Sequence, residues 1–249
     1  MKVSIITIAY NSASTIEDTV KSVIAQSHSP IEYIIVDGAS NDNTCSIIEK
    51  YQAHVARFVS ERDKGIYDAM NKGVLLSSGD IVGILNSDDF YADENVISDV
   101  VRIFDETGCD ALYADLVYVN RDLSDKIVRT WKAGDYRHGK FLSGWMPPHP
   151  TFFVKREFYE RHGLYSLELK SASDYELMLR FIHKHQLKMA YLPRVITKMR
   201  AGGQSNVTLK NRLRANMEDR KAWQMNGLHP NFLTLTRKPI SKLFQFLKK

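Results

Sequence analysis

Two adjacent carboxylates, Asp88 and Asp89, close the apolar run Ile81-Val82-Gly83-Ile84-Leu85-Asn86-Ser87. Side by side they repel one another unless something positive sits between them, and a divalent cation is the usual answer. The same pair, with Ser87, also has the make-up of a helix cap. Polar groups recur after the other apolar runs: Tyr10-Asn11 follows Val3 to Ala9, and Asp37 follows Ile31 to Val36. A fourth carboxylate, Asp174, stands in Ser171-Ala172-Ser173-Asp174, a helix-opening stretch whose dipole favours the ionised form.

Such groups need elements to bring them together. Val3 to Ala9, Ile31 to Val36, His54 to Ser60 and Ile81 to Asn86 read as strands. Between them, helices are expected from the capping box Ser14-Thr15-Ile16-Glu17, from Asp42-Asn43-Thr44, and over Lys64 to Leu76. This alternation predicts an α/β doubly wound sheet, and ligands bind such sheets at the carboxyl ends of their strands. Three strand ends would then present polar side chains to one edge. The rhythm breaks after the helix expected over Asn95 to Phe104. Ala111 to Val119 and Ile127 to Trp131 suggest a hairpin, Met189 to Met199 a strand broken at Pro193, and Thr208 to Met225 a long basic helix. Neither G-x-G-x-x-G after the first strand nor G-x-x-x-x-G-K-[ST] occurs, which argues against dinucleotide oxidoreductases and P-loop enzymes.

The 249 residues suffice for one sizeable core with an appendage. The formal charge of +5 is uneven. Residues 198–249 hold twelve Lys/Arg against Glu218 and Asp219, whereas residues 1–197 hold 22 basic and 27 acidic side chains. Solitary Cys45 and Cys109, the absence of a signal-peptide pattern and the absence of a membrane-spanning run predict a cytoplasmic location.

Together these motifs resemble family 2 of the inverting glycosyltransferases with the GT-A fold, in particular those building bacterial surface polysaccharides. The resemblance runs from Val3 to about Ser205. It rests on Val3 to Asn11, on Asp37, on Lys64-Gly65 with Ala69-Met70-Asn71-Lys72-Gly73, on Asp88-Asp89, on His149-Pro150 and on Gly202-Gly203-Gln204-Ser205.

It implies a mixed-sheet GT-A domain over 1–205, with a nucleotide-sugar half (1–119) and an acceptor half (120–205), then a basic helical extension over 206–249. Asp88-Asp89 falls on the family's DxD-like motif, with Asp89 the direct ligand of Mn2+ or Mg2+. Asp37 falls on the nucleotide-reading aspartate, Asp174 on the catalytic base, and Tyr10, Asn11, Lys64, Asp88 and His149 would meet substrate. The implied reaction moves one sugar from a nucleotide-diphosphate donor, UDP by family habit, to a glycan or polyprenyl-diphosphate-linked acceptor, with inversion. Residues 230–249, mixing Phe and Leu with Lys and Arg, suggest a peripheral contact with an anionic membrane at the inner face of the cell membrane; nucleic acid is not an expected partner.

Two positions depart from the family: Gly38 stands where a second acidic residue is common, and Ser173 where a glutamate often precedes the base. Blander roles exist for several residues. Asp37 and Asp174 suit helix caps, Tyr10 suits packing, and His149 suits a structural loop as well as an acceptor contact. Trp131, Trp145 and Trp223 fit a core better than a sugar platform. A sugar-nucleotide nucleotidyltransferase and a non-catalytic sugar-nucleotide binder are the alternatives to a transferase.

Overall fold

A computed structural model of the protein describes residues 1–202, 209–230 and Thr234. Its first half is the expected alternation: β1 (Val3–Ala9), α1 (Ile16–Ile24), β2 (Ile31–Asp37), α2 (Thr44–Glu49), β3 (Arg57–Ser60), α3 (Ile66–Leu76) and β4 (Ile81–Asn86). These four strands are parallel, in the order β3-β2-β1-β4. Every residue of β1 is buried, as for a strand covered on both faces. One core lies on either side of the sheet: Ile6, Ile34, Met70 and Val74 on the α3 side, Ile5, Ile35, Val20 and Phe104 on the other.

The second half adds β5 (Asp89–Tyr91), α4 (Val96–Thr107), β6 (Ala111–Val119), β7 (Ile127–Trp131), β8 (Phe153–Lys155), α5 (Glu157–His162), α6 (Ser173–Met178), β9 (Met189–Arg200) and α7 (Leu209–Met225). It extends the sheet as β4-β8-β6-β9-β5, with β7 on β6 as the hairpin partner. The β4–β8, β6–β8 and β5–β9 pairs are antiparallel and β6–β9 is parallel, so the sheet is mixed. α6 continues as a turn of π-helix, Leu179–Lys184.

Four local expectations change. The capping box does not form: Thr15 is the N-cap without a side-chain bond, and the Ser12 carbonyl takes the Thr15 and Ile16 amides instead. Glu17 is drawn away to the Tyr51 hydroxyl, 2.6 Å. The third strand begins only at Arg57, because Gln52–His54 coil into a 3-10 turn. α3 begins at Ile66 rather than Lys64, since Gly65 sits at φ +114°, outside helical backbone. Pro193 does not break β9. The β6–β9 register jumps from Ala114↔Leu192 to Asp115↔Val195, so Pro193 and Arg194 bulge out of the ladder where a missing N–H costs nothing.

α7 is not a free arm. Trp223 is buried, its Nε1 donates to the Tyr175 hydroxyl at 2.8 Å, and Asn226 Nδ2 donates to Glu176 at 2.9 Å. Gly203 to Ser205, and residues 230–249 apart from Pro230 and Thr234, lie outside the described residues. No helix among the described residues is long and apolar enough to cross a membrane.

Candidate active site

Parallel register brings the strand ends level: Ala9 lies beside Asp37, Asp37 beside Ser60, and Ile8 beside Asn86. The loops that follow are stitched by side chains. Asn11 sits at φ +49°, a conformation asparagine tolerates, with its amide donating to Ser40 Oγ at 2.8 Å. Its Oδ1 accepts the Asn41 amide at 3.0 Å. Ser12 Oγ and Ser87 Oγ share a hydrogen bond of 2.7 Å, tying the loop after β1 to the acidic turn after β4.

Asp37 is buried and its oxygens are filled from within. Both the Ser40 amide and hydroxyl, the Ser60 hydroxyl and the Cys45 thiol donate to it. Burial pushes its carboxyl up, but the Ser40 and Ser60 bonds outweigh this and hold it below the usual range. The groups left facing outward beside it are Tyr10, which is 60% exposed, and Asp63, which leans over Gly38. The sequence reading did not single out Asp63. Its only hint in sequence is a carboxylate two residues before Gly65. Lys64 is exposed, and its amide donates to Asp68 Oδ2 at 3.0 Å.

At the β4–β5 turn the two aspartates differ. The Asp88 carbonyl accepts from Arg200 Nη1 at 3.0 Å, whereas Asp89 is wholly buried. Asn86 Nδ2 donates to Asp89 Oδ2 at 3.1 Å. Asp89 Oδ1 and Asn86 Oδ1 have no hydrogen-bond partner among the described residues. Burial, then the adjacent Asp88 charge, push the Asp89 carboxyl well above its ordinary range. Two unpartnered oxygens on a buried, charge-starved carboxylate and amide fit a hard cation, which prefers oxygen ligands. Among the described residues no three His, Cys, Asp or Glu side chains converge as a complete metal cage. Phosphate oxygens of a ligand would complete the shell, as is usual for such ions.

Asp174 and His149 come together although they stand 25 positions apart in sequence. His149 Nδ1 lies 3.5 Å from Asp174 Oδ2, and the Tyr67 hydroxyl donates to Asp174 Oδ1 at 3.1 Å. Tyr67 belongs to the first turn of α3, which starts at the strand-end edge just past β3. Tyr67 had no sequence signal of its own, being one apolar-face residue of an amphipathic helix.

Residues 4–163 match the model of Glycosyl transferase family 2. The chain is 32% identical over 180 residues to an uncharacterized glycosyltransferase of Mycobacterium tuberculosis, covering 72% of this chain and 68% of that protein. With the chondroitin synthase of Escherichia coli it shares 30% identity over 199 residues, covering 76% of this chain and 28% of that one. Among solved structures, Staphylococcus aureus TarS 1–349 in complex with UDP-GlcNAc superposes with a TM-score of 0.70 at 18% identity, over 91% of this chain and 65% of that one. Mannosyltransferase PcManGT of Pyrobaculum calidifontis, in complex with GDP-Man and Mn2+, gives 0.66 at 20% identity, over 98% and 69%. These likenesses show a shared GT-A fold. The chain belongs to glycosyl transferase family 2, and is a glycosyltransferase.

Proposed function

We propose that this transferase is metal-dependent and inverting, and moves one sugar from a nucleotide-diphosphate donor to a hydroxyl of a glycan or lipid-linked acceptor. The observation that carries the reading is the pairing of a cation-ready turn with a separately held carboxylate. Asp89 and Asn86 supply unpartnered oxygens at the end of β4, and Asp174 is held against the first turn of α3.

A nucleoside diphosphate is a good leaving group only when the charge growing on it is neutralised. Asp89 and Asn86 would hold a divalent cation, which when bound would supply that neutralisation as a Lewis acid. The protein does the rest. Tyr10, Asn11 and the loop fixed by Asp37 line the nucleotide end, and exposed Lys64 offers a further positive charge. Asp174 takes the proton of the attacking hydroxyl on the opposite side of the sugar. Attack from the side opposite the leaving group inverts the anomeric centre.

A donor panel followed by calorimetry, with and without Mn2+, tests the reading. Metal-dependent binding of one nucleotide-diphosphate sugar, with release of the nucleoside diphosphate, supports it. Donor binding and sugar transfer that are indifferent to Mn2+ overturn the metal dependence.

A further inference from the structure

We infer that Asp174 and His149 accept the acceptor's proton as a pair, with Tyr67 the positioning residue that fixes the carboxylate. This rests on Asp174 being the base.

The two oxygens of Asp174 have different neighbours. Oδ1 accepts from Tyr67, and Oδ2 faces His149 Nδ1 at 3.5 Å. Tyr67 cannot take the proton. Burial, then the Asp174 charge, push its ionisation far up, so it remains a donor. Its ring is 9% exposed and stacks on Tyr165 at 5.9 Å between centroids and 15° between planes. One turn along α3, Asn71 grips Tyr165 through both backbone groups, at 2.9 and 2.8 Å. The carboxylate is therefore clamped on its Oδ1 side, which leaves Oδ2 for the proton.

A carboxyl by itself is a poor final home for that proton. Model imidazoles hold a proton roughly two to three pH units more firmly than model carboxyls. An imidazole nitrogen facing Oδ2 gives the proton a second acceptor atom beside the first.

The balance is simple. The acceptor O–H bond breaks as its oxygen forms the new bond to the anomeric carbon. The bond from that carbon to the phosphate oxygen breaks, and its electron pair leaves with the nucleoside diphosphate. The proton passes to Oδ2 and on to Nδ1, giving a carboxylate–imidazolium pair. His149, with its side chain 30% exposed, then returns the proton to water. Among the described residues, Tyr67 from α3 and Tyr165 from the segment after α5 face Asp174, with Tyr159 of α5 behind Tyr165. All three are pushed up, by burial first, and add no titration near neutrality.

The test compares His149→Gln, His149→Ala, Tyr67→Phe and Asp174→Asn as full-length folded proteins, checked by melting temperature and by donor binding in calorimetry. His149→Gln should bind donor normally and lose about ten- to a hundredfold in kcat, within the usual worth of a positioned proton acceptor. The acid limb of its kcat–pH profile should move toward acid, since the imidazole no longer takes part. Added imidazole should restore part of the turnover of His149→Ala. Tyr67→Phe should slow turnover without moving the limb and without rescue. An unmoved limb in His149→Gln overturns the pair, as does a loss confined to acceptor KM with no rescue. An inert Asp174→Asn beside a normal His149→Gln overturns the pair alone. A fully active, folded Asp174→Asn overturns the base assignment and the pair with it.

Discussion

Gly38 and Asp63 touch in a way that only glycine allows. A Cβ at Gly38 would lie 2.5 Å from Asp63 Oδ2 and 3.3 Å from the Tyr10 ring. Asp63 Oδ1 is anchored by the Gly65 amide at 2.8 Å. Asp63 thus stands beside Gly38, the position where the family resemblance would place a second acidic residue. We expect Gly38→Ala to displace the Asp63 carboxylate while the fold survives, because the clash is with a side-chain tip. Donor affinity should fall severalfold in calorimetry with a near-normal melting temperature. Unchanged affinity would show that Asp63 does not meet the donor.

Asp89→Asn keeps the shape of the turn and removes the charge that would hold a cation. Metal-stimulated transfer should vanish, and binding of the nucleoside diphosphate should lose its dependence on Mn2+. The melting temperature of the metal-free protein should hold or rise, since burying an amide costs less than burying an unpaired carboxylate. Titrating Mn2+ against turnover and against melting temperature checks both parts. Full manganese-dependent turnover refutes the assignment.

Asp174→Asn should bind donor as the wild type does and transfer sugar roughly a hundred to ten thousand times more slowly. A residue that merely closes a helix end would behave otherwise, costing about 1 kcal/mol of stability with turnover intact. Measuring both quantities on one preparation separates the two roles.

Glu32 sets a stability window in acid. It is buried at the start of β2, and burial alone would raise its carboxyl. Hydrogen bonds from Ser4 and Ser78, joined by Lys2, instead hold it down to about 2, against an ordinary 4.5. A carboxyl depressed in the folded state stabilises above the unfolded pKa, and that stability is lost as pH falls through the folded one. The contribution, about 2 to 3 kcal/mol, should therefore be complete by pH ~5 and fade toward pH ~2. Glu32→Gln should melt well below the wild type at neutral pH and converge with it toward pH ~2. Parallel melting curves across that range would count against this account.

Trp223→Ala tests whether α7 is part of the body. The indole is buried beside Tyr175 and His183, with ring centroids 5.4 Å apart in the latter pair. Removing it should cost about 3 to 5 kcal/mol in chemical denaturation. A loss under about 1 kcal/mol would mean that the helix docks only loosely.

Much of this protein is legible along the chain. Period-two and unbroken apolar runs mark β1, β2 and β4, and the polar residues that end them are placed on one edge by parallel pairing, whatever the details of packing. That is why Asp37 and Asp88-Asp89 stand out before any coordinates are known. What the chain does not reveal is which carboxylate ends buried and which exposed. Asp88 and Asp89 are neighbours in sequence, yet β5 pairing with β9 carries Asp89 alone beneath the surface. Nor does it reveal contacts between distant segments. Asp63 over Gly38, Tyr67 on Asp174 and His149 across from it each depend on loops and helix ends meeting in space, for which local sequence carries no period. The capping box failed for the same reason: Glu17 had a better partner in Tyr51, 34 residues away, and tertiary hydrogen bonding outbid the local one. Pro193 stayed within a strand because the β6–β9 register could slip to accommodate it, a choice made between two strands and written in neither.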